Sequence, residues 1–157
     1  LQAGAKRGGL FLAGVVMAAA IALHNLPEGM VIGASYAADL AEAGEDGRMM
    51  ALVIGLHNIP EGMAVAVPLA AGGASRGRAV LTTAAAGAPT VLGAVLGFCL
   101  GTMGPGLQML TLGGASGAML YVVFGELLPE SFRLCRSPAP VMAAVLGVLT
   151  GMGVVLG

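Results

Sequence analysis

Long apolar stretches, separated by short polar or turn-forming segments, are the feature that most restricts how this chain can fold. An apolar stretch of 18 or more residues is long enough to cross the roughly 30 Å hydrocarbon layer of a bilayer as a helix. Charged residues make up 10% of the 157 residues and the mean hydropathy is +0.93, whereas a soluble domain has about 25% charged residues. We therefore predict an all-α fold, a polytopic transmembrane helix bundle.

Segments rich in glycine, proline or charge divide the chain, since such residues form turns and loops. They separate five predicted spans within a single transmembrane domain that covers residues 1–157. The predicted spans are about 10–38, 49–73, 79–103, 107–132 and 141–157.

Basic residues occupy alternate connections between the predicted spans. They lie before the first span, between the second and third, and between the fourth and fifth: Lys6, Arg7, Arg76, Arg78, Arg133 and Arg136. Basic residues concentrate in cytoplasmic loops. We therefore expect the start of the chain to be cytoplasmic and its C-terminus to lie outside.

Two nearly identical hexapeptides, HNLPEG at residues 24–29 and HNIPEG at residues 57–62, contain the only two histidines of the chain. Each lies near the middle of a predicted span. Residues four apart share one face of a helix, so His24 projects beside Glu28 and His57 beside Glu61. Each motif is thus expected to present an imidazole and a carboxylate inside the membrane.

Imidazole nitrogens and carboxylate oxygens are ligands that suit Zn²⁺ and other first-row divalent ions. Asn25 and Asn58, each three residues before the motif glutamate, add an amide to the same stripe. One helix offers too few ligands for a coordination shell, so we interpret the two motifs as halves of one metal site. Its candidate residues are His24, Asn25, Glu28, His57, Asn58 and Glu61.

Each motif also contains a proline, Pro27 or Pro60. Proline inside a helix removes the hydrogen bond to the carbonyl four residues earlier, which leaves the carbonyls of Leu23 and Leu56 free to face a cation or water. Loosened backbone near the bilayer midplane is typical of ion and substrate sites in transporters.

Polar residues inside a membrane can also hold helices together through hydrogen bonds. A carboxylate at the bilayer centre costs about 3 kcal/mol on insertion scales, and this chain places one at matching positions of two spans, which favours a cation site. A non-transporting metal sensor or a structural metal-binding protein would need the same ligands. The residues alone leave that alternative open.

Two features of the sequence bear on whether the chain could be an intramembrane protease. The GASG at residues 114–117 is similar to the GxSG of rhomboid serine proteases, but their serine needs a histidine base, and no histidine follows His57. A zinc protease would need HExxH, and asparagine occupies the place of that glutamate in both motifs. We therefore expect no enzyme, no catalytic residues and no catalytic cofactor.

HNLPEG followed by HNIPEG on consecutive spans resembles the ZIP (Zrt/Irt-like) family of divalent metal transporters, in particular its zinc-permease (GufA-like) branch. GAPTVLGAVLG at residues 87–97 is similar to the family's sixth helix, and LYVVFGELLPES at residues 120–131 to its seventh. The resemblance implies eight helices, of which this chain would cover the fourth to the eighth and lack the first three.

The resemblance also implies a function. Zn²⁺, or Fe²⁺ and other divalent cations, would be the transported substrate, carried into the cytoplasm across a bacterial inner (plasma) membrane. The expected partners are divalent metal ions, the lipid bilayer and a second copy in a homodimer, with no nucleic acid.

For the site, the resemblance implies a binuclear-type centre. His24, Glu28, His57 and Glu61 would be the primary ligands, and Asn25 and Asn58 would turn toward a second metal position. Family members often carry a glutamate in the sixth helix just before a proline. Alignment on the shared LGA places Thr90 there, and Pro89 falls too early, so the second position is expected to be weakened.

Glu126 and Glu130 lie four residues apart around Pro129, near the end of the predicted fourth span. They are candidates for lining an exit pathway. Carboxylates that sit in the membrane interface beside Arg133 and Arg136 explain the pattern equally well, because charges are common at span ends.

Overall fold

The computed structural model describes the backbone of residues 2–156, and the side chains of residues 7–40, 43–121, 123–125, 128–129, 131–132 and 135–153. The described backbone is helical apart from short connections and contains no strand, which confirms the predicted all-α fold. The elements are α1 (Gln2–Glu42), α2 (Asp46–Ala71), α3 (Arg76–Thr102), α4 (Pro105–Tyr121), a π-helical segment (Val122–Leu127), α5 (Leu128–Leu134) and α6 (Ala139–Leu156).

Among the described residues, four segments are long and apolar enough to cross a membrane: Arg7–Leu40, Asp46–Ala71, Arg76–Thr102 and Pro105–Gly125. A shorter apolar helix covers Ala139–Gly153. Large apolar side chains such as Leu23, Leu56 and Leu81 are exposed on these helices, as expected where lipid rather than water surrounds them. The protein is therefore an integral membrane protein.

The chain divides into two compact units, Leu1–Ala118 and Met119–Gly157. The first unit holds α1, α2, α3 and most of α4, and α1 packs against both α2 and α3. The second holds the π-helical segment, α5 and α6. In it the Leu128 N–H donates to the carbonyl of Val123, five residues back, and Pro129 has no N–H with which to restore the α-helical pattern.

Glycines bring the backbones of α1 and α3 into direct contact. Gly93 and Gly97 of α3 share a face because they are four residues apart. A Cβ atom on Gly93 would collide with the carbonyl oxygen of Leu26, and one on Gly97 with that of Met30. Gly29 of α1 meets the carbonyl of Thr90 in the same way. Small residues allow this approach, which lets helices pack by van der Waals contact in a membrane.

Below this contact, toward the connection between α2 and α3, lies an apolar core. Val65 and Leu69 of α2 are almost fully buried there. The core cluster is completed by Ala18, Ala79 and Ala86, with Phe11, Ile21, Ala22 and Ala74 packed around it.

Asp39, near the end of α1, holds the beginning of α2. Its carboxylate oxygens accept hydrogen bonds from the N–H groups of Asp46 at 3.0 Å and Gly47 at 2.8 Å. These are N–H groups of the first helical turn, which have no partner within the helix. The connection between α1 and α2 is short, since only residues 43–45 lie outside the two helices.

Replacing Gly97 by Ala is expected to destabilise the protein by about 1–3 kcal/mol, because the added methyl group would meet the rigid backbone of α1. The matched control is Gly87→Ala, since a Cβ on that glycine of the same helix would meet nothing within 4 Å. The control should be neutral or slightly stabilising because Ala favours helices over Gly. Unfolding free energies from titration of mixed detergent micelles with dodecyl sulfate compare the two, and equal effects would contradict the close α1–α3 contact.

Asp39→Ala is expected to cost about 1 kcal/mol of unfolding free energy, the usual effect of losing a helix cap. Glu45→Ala is the control, because Glu45 is exposed and makes only a long contact, 3.5 Å, with the exposed Arg48, and exposed ion pairs contribute little. The same titration measures both variants. A loss for Glu45→Ala as large as that for Asp39→Ala would show that the cap does not hold α2.

Candidate metal centre

The two hexapeptides face each other across the α1–α2 contact. The three-residue connection turns α2 back along α1, so the polar stripes of both helices meet within the membrane-spanning segments. One ligand atom from each of four side chains lies within 4.8 Å of the others. These side chains are His24, Glu28, His57 and Glu61.

The distances between ligand atoms match a single coordinated ion. Nε2 of His24 lies 3.1 Å from Oε1 of Glu28 and 3.4 Å from Oε1 of Glu61. Nε2 of His57 lies 3.4 Å and 3.2 Å from the same two oxygens. A tetrahedral zinc site with bonds of about 2.0–2.1 Å places neighbouring ligand atoms roughly 3.3–3.4 Å apart. The four imidazole–carboxylate distances are close to that separation, and all four ligand atoms lie within 4.8 Å of one another.

Burial without hydrogen bonding points to the same chemistry. Glu28 is completely buried, and its Oε1 has no hydrogen-bond partner even though two imidazole nitrogens are close. A buried carboxylate is strongly unfavourable unless it is paired or bound to a metal. A single cation placed among the four side chains could accept a lone pair from each of them.

The centre is more open on one side than on the other. The side chain of His57 is 51% exposed, whereas those of His24 and Glu61 are 10% and 16% exposed. His57 is therefore the least enclosed of the four candidate ligands, and Glu28 the most enclosed.

The two motif asparagines, which occupy equivalent positions in the repeats, have different surroundings. Asn25 is buried, and its Nδ2 donates to the backbone carbonyl of Ala86 in α3 at 2.9 Å. Its Oδ1 is buried without a partner. Asn58 lies instead beside the carboxylates, with a terminal amide atom 3.1 Å from Oε2 of Glu28 and 3.3 Å from Oε2 of Glu61. The expected role of each asparagine as a metal ligand stays a prediction.

Thr90 lies on α3 beside the first motif. Its backbone carbonyl contacts Gly29, next to Glu28, and its hydroxyl oxygen is buried without a hydrogen-bond partner. A role for Thr90 at a weakened second metal position stays a prediction.

Glu126 falls in the π-helical segment and Glu130 in α5. Their side chains lie outside the described part of the structure, so their expected place along an exit pathway also stays a prediction.

A cavity of about 90 Å³ adjoins the metal cluster. Its polar lining comes from three helices: Asn25 of α1, Asn58 and Glu61 of α2, and Thr83 of α3. This volume has room for several water molecules. Thr83 belongs to neither sequence motif, although its spacing of seven residues from Thr90 places both threonines on one face of α3.

The fold and the cluster together define a class of protein, a polytopic helical membrane protein with a His/Glu cluster inside its membrane-spanning segments. The family model described as ZIP Zinc transporter matches residues 2–157, and the chain belongs to this family. Membership of the ZIP family, predicted from the two hexapeptides, is thereby confirmed.

A curated relative adds a second comparison. Zinc transporter GufA from Myxococcus xanthus is 40% identical to this chain over 114 residues, which are 73% of this chain and 44% of the relative. The chain thus spans less than half the length of that relative. No solved structure matches the chain significantly.

Glu28→Gln is expected to lower the affinity for Zn²⁺ by at least about 100-fold, because it replaces a buried anionic ligand by a neutral amide. Glu45→Gln removes the same charge from an exposed residue outside the cluster, so its affinity should stay within about twofold of the parent. Isothermal titration calorimetry on detergent-solubilised protein measures both. Parental affinity in Glu28→Gln would exclude this carboxylate as a ligand.

Proposed function

We propose that the protein transports divalent metal ions, chiefly Zn²⁺ and also Fe²⁺ or similar ions, across the membrane into the cytoplasm. The single observation that carries the proposal is the convergence of two imidazoles and two carboxylates from α1 and α2 inside membrane-spanning segments. Intramembrane ionisable groups commonly mark ion pathways. The family to which the chain belongs supports the same function.

The ligand set suits an ion that must bind and then leave. Four nitrogen and oxygen ligands replace much of the hydration shell of Zn²⁺. The half-exposed His57 is the least enclosed of the four candidate ligands, and structural zinc sites are closed whereas sites that exchange a ligand keep a position open. The incomplete enclosure supports a carrier over a structural zinc site.

The inward direction rests on the charges of the connections and on the position of the cavity. With the arginine-bearing connection between α2 and α3 in the cytoplasm, as the positive-inside rule predicts, the cavity beside Thr83 lies on the cytoplasmic side of the cluster. It shares Ile21, Val65 and Ala86 with the apolar core. An ion released into this cavity regains water there.

The apolar core closes the path below the cavity. Val65 and Leu69 are 0% and 1% exposed, and an ion cannot cross such packing while it keeps its charge and hydration. Release to the cytoplasm therefore requires these side chains to separate from α1 and α3. The movement is a helix rearrangement of the kind that gives alternating access in transporters.

We also propose that the protein lies in a bacterial inner membrane, with the start of the chain in the cytoplasm and the C-terminus outside. We further propose that it forms a homodimer. The bacterial relative and the alternating basic connections support the location and orientation. The metal is cargo, and no catalytic step is proposed.

The test is uptake of radioactive zinc into liposomes that contain the protein at its full natural length. A double variant, Glu28→Gln with Glu61→Gln, is expected to lose at least about 90% of the uptake, because both anionic ligands are gone. The control, Glu45→Gln, should retain it. A parent protein that binds zinc without transporting it would replace the transporter by a metal sensor or structural protein.

A further inference from the structure

The cavity beside the metal cluster has glycines in its walls, and they leave room inside it. A Cβ atom on Gly62 of α2 would meet only the methyl group of Thr83, at 3.4 Å, and one on Gly87 of α3 would meet nothing within 4 Å. Of the described residues on α1 and α3, two with polar side chains line the cavity, Asn25 and Thr83.

Both polar side chains already donate a hydrogen bond to the backbone of α3. Nδ2 of Asn25 donates to the carbonyl of Ala86 at 2.9 Å, and the hydroxyl of Thr83 donates to the carbonyl of Ala79 at 2.9 Å. The hydroxyl has a single hydrogen, so its oxygen can now only accept. Oδ1 of Asn25 is buried without a partner. Each of the two oxygens is therefore available to a hydrogen-bond donor.

Water is the donor that fits this place. Asn25 is only 2% exposed, and a buried oxygen without a hydrogen bond is unfavourable. Buried water bonds to such otherwise unsatisfied polar groups wherever a cavity is polar and large enough, and about 10–15 Å³ is enough for one molecule. The cavity of about 90 Å³ exceeds that volume severalfold.

We propose that Thr83 is a positioning residue that, together with Asn25, orients water for the ion that leaves the metal cluster. A water molecule that donates its hydrogens to the oxygens of α1 and α3 turns its own lone pairs away from them. They then face the opposite wall, on α2, where the candidate metal ligand Glu61 lines the same cavity. An ion that leaves the carboxylate meets water oxygens there, already turned toward it.

The inference rests on the proposed function, because it concerns release of the ion toward the cytoplasm. An ion can leave the cluster only as water replaces its protein ligands. Water that is already oriented speeds this replacement, whereas the four side chains that hold the bound ion do not include Thr83. Thr83 is therefore expected to affect the rate of transport and to leave the affinity for zinc unchanged.

The test measures rate and affinity separately for Thr83→Val, which removes the hydroxyl with little change of shape. Uptake of radioactive zinc into liposomes that contain the protein at its full natural length gives the maximal rate. We expect this rate to fall about fivefold, the effect of losing one hydrogen bond. Isothermal titration calorimetry on the solubilised protein gives the Kd for Zn²⁺, which should stay within about twofold of the parental value because the bridge through water is indirect.

Two variants serve as matched controls. Thr82→Val makes the same substitution at the neighbouring residue, which does not line the cavity, and Thr83→Ser keeps the hydroxyl. Both should transport at the parental rate.

Three results would overturn the proposal: an unchanged rate in Thr83→Val, an equal loss in Thr82→Val, or no rescue by Thr83→Ser. A weaker affinity for zinc in Thr83→Val would also overturn it, because the hydroxyl would then be a ligand of the ion itself. A parent protein that binds zinc but takes up none would refute the transport function, and this inference with it.

Discussion

The burial of the Glu28 carboxylate inside the membrane is the constraint on which the rest of the site depends. A charge in that position is too unfavourable to stand alone, so its surroundings must compensate it. Two imidazoles, a second carboxylate and an amide surround it at distances that suit a bound cation. This arrangement is what supports the proposal that the cluster binds a divalent cation.

Such a site requires helices that approach each other closely at a defined register. The glycine face of α3 meets the backbone of α1 at Leu26, within the first motif, and at Met30, just after it. Nearby, the carbonyl of Ala86 in α3 accepts a hydrogen bond from Asn25. Asp39 fixes the start of α2 against the end of α1. Backbone contacts and a short connection therefore hold the three helices in the register that brings the candidate ligands together.

The surroundings of the cluster differ between its two sides. His57 is half exposed, while the cavity beside Thr83 is followed by the tight packing of Val65 and Leu69. The barrier consists of side chains on α2 and of small residues on its neighbours, so a modest separation of helices would open it.

Much of this protein could be predicted from the sequence, because its strongest signals are local. Apolar length indicates spanning helices, and spacing of four places a histidine beside a glutamate whatever the helix contacts. The all-α fold and the ZIP family follow from these signals and are confirmed. Which residues share a cavity depends on how separate helices pack, which local spacing does not report. Only the tertiary structure therefore distinguishes Asn25, held by α3, from Asn58, held between two carboxylates, since their local sequences are the same.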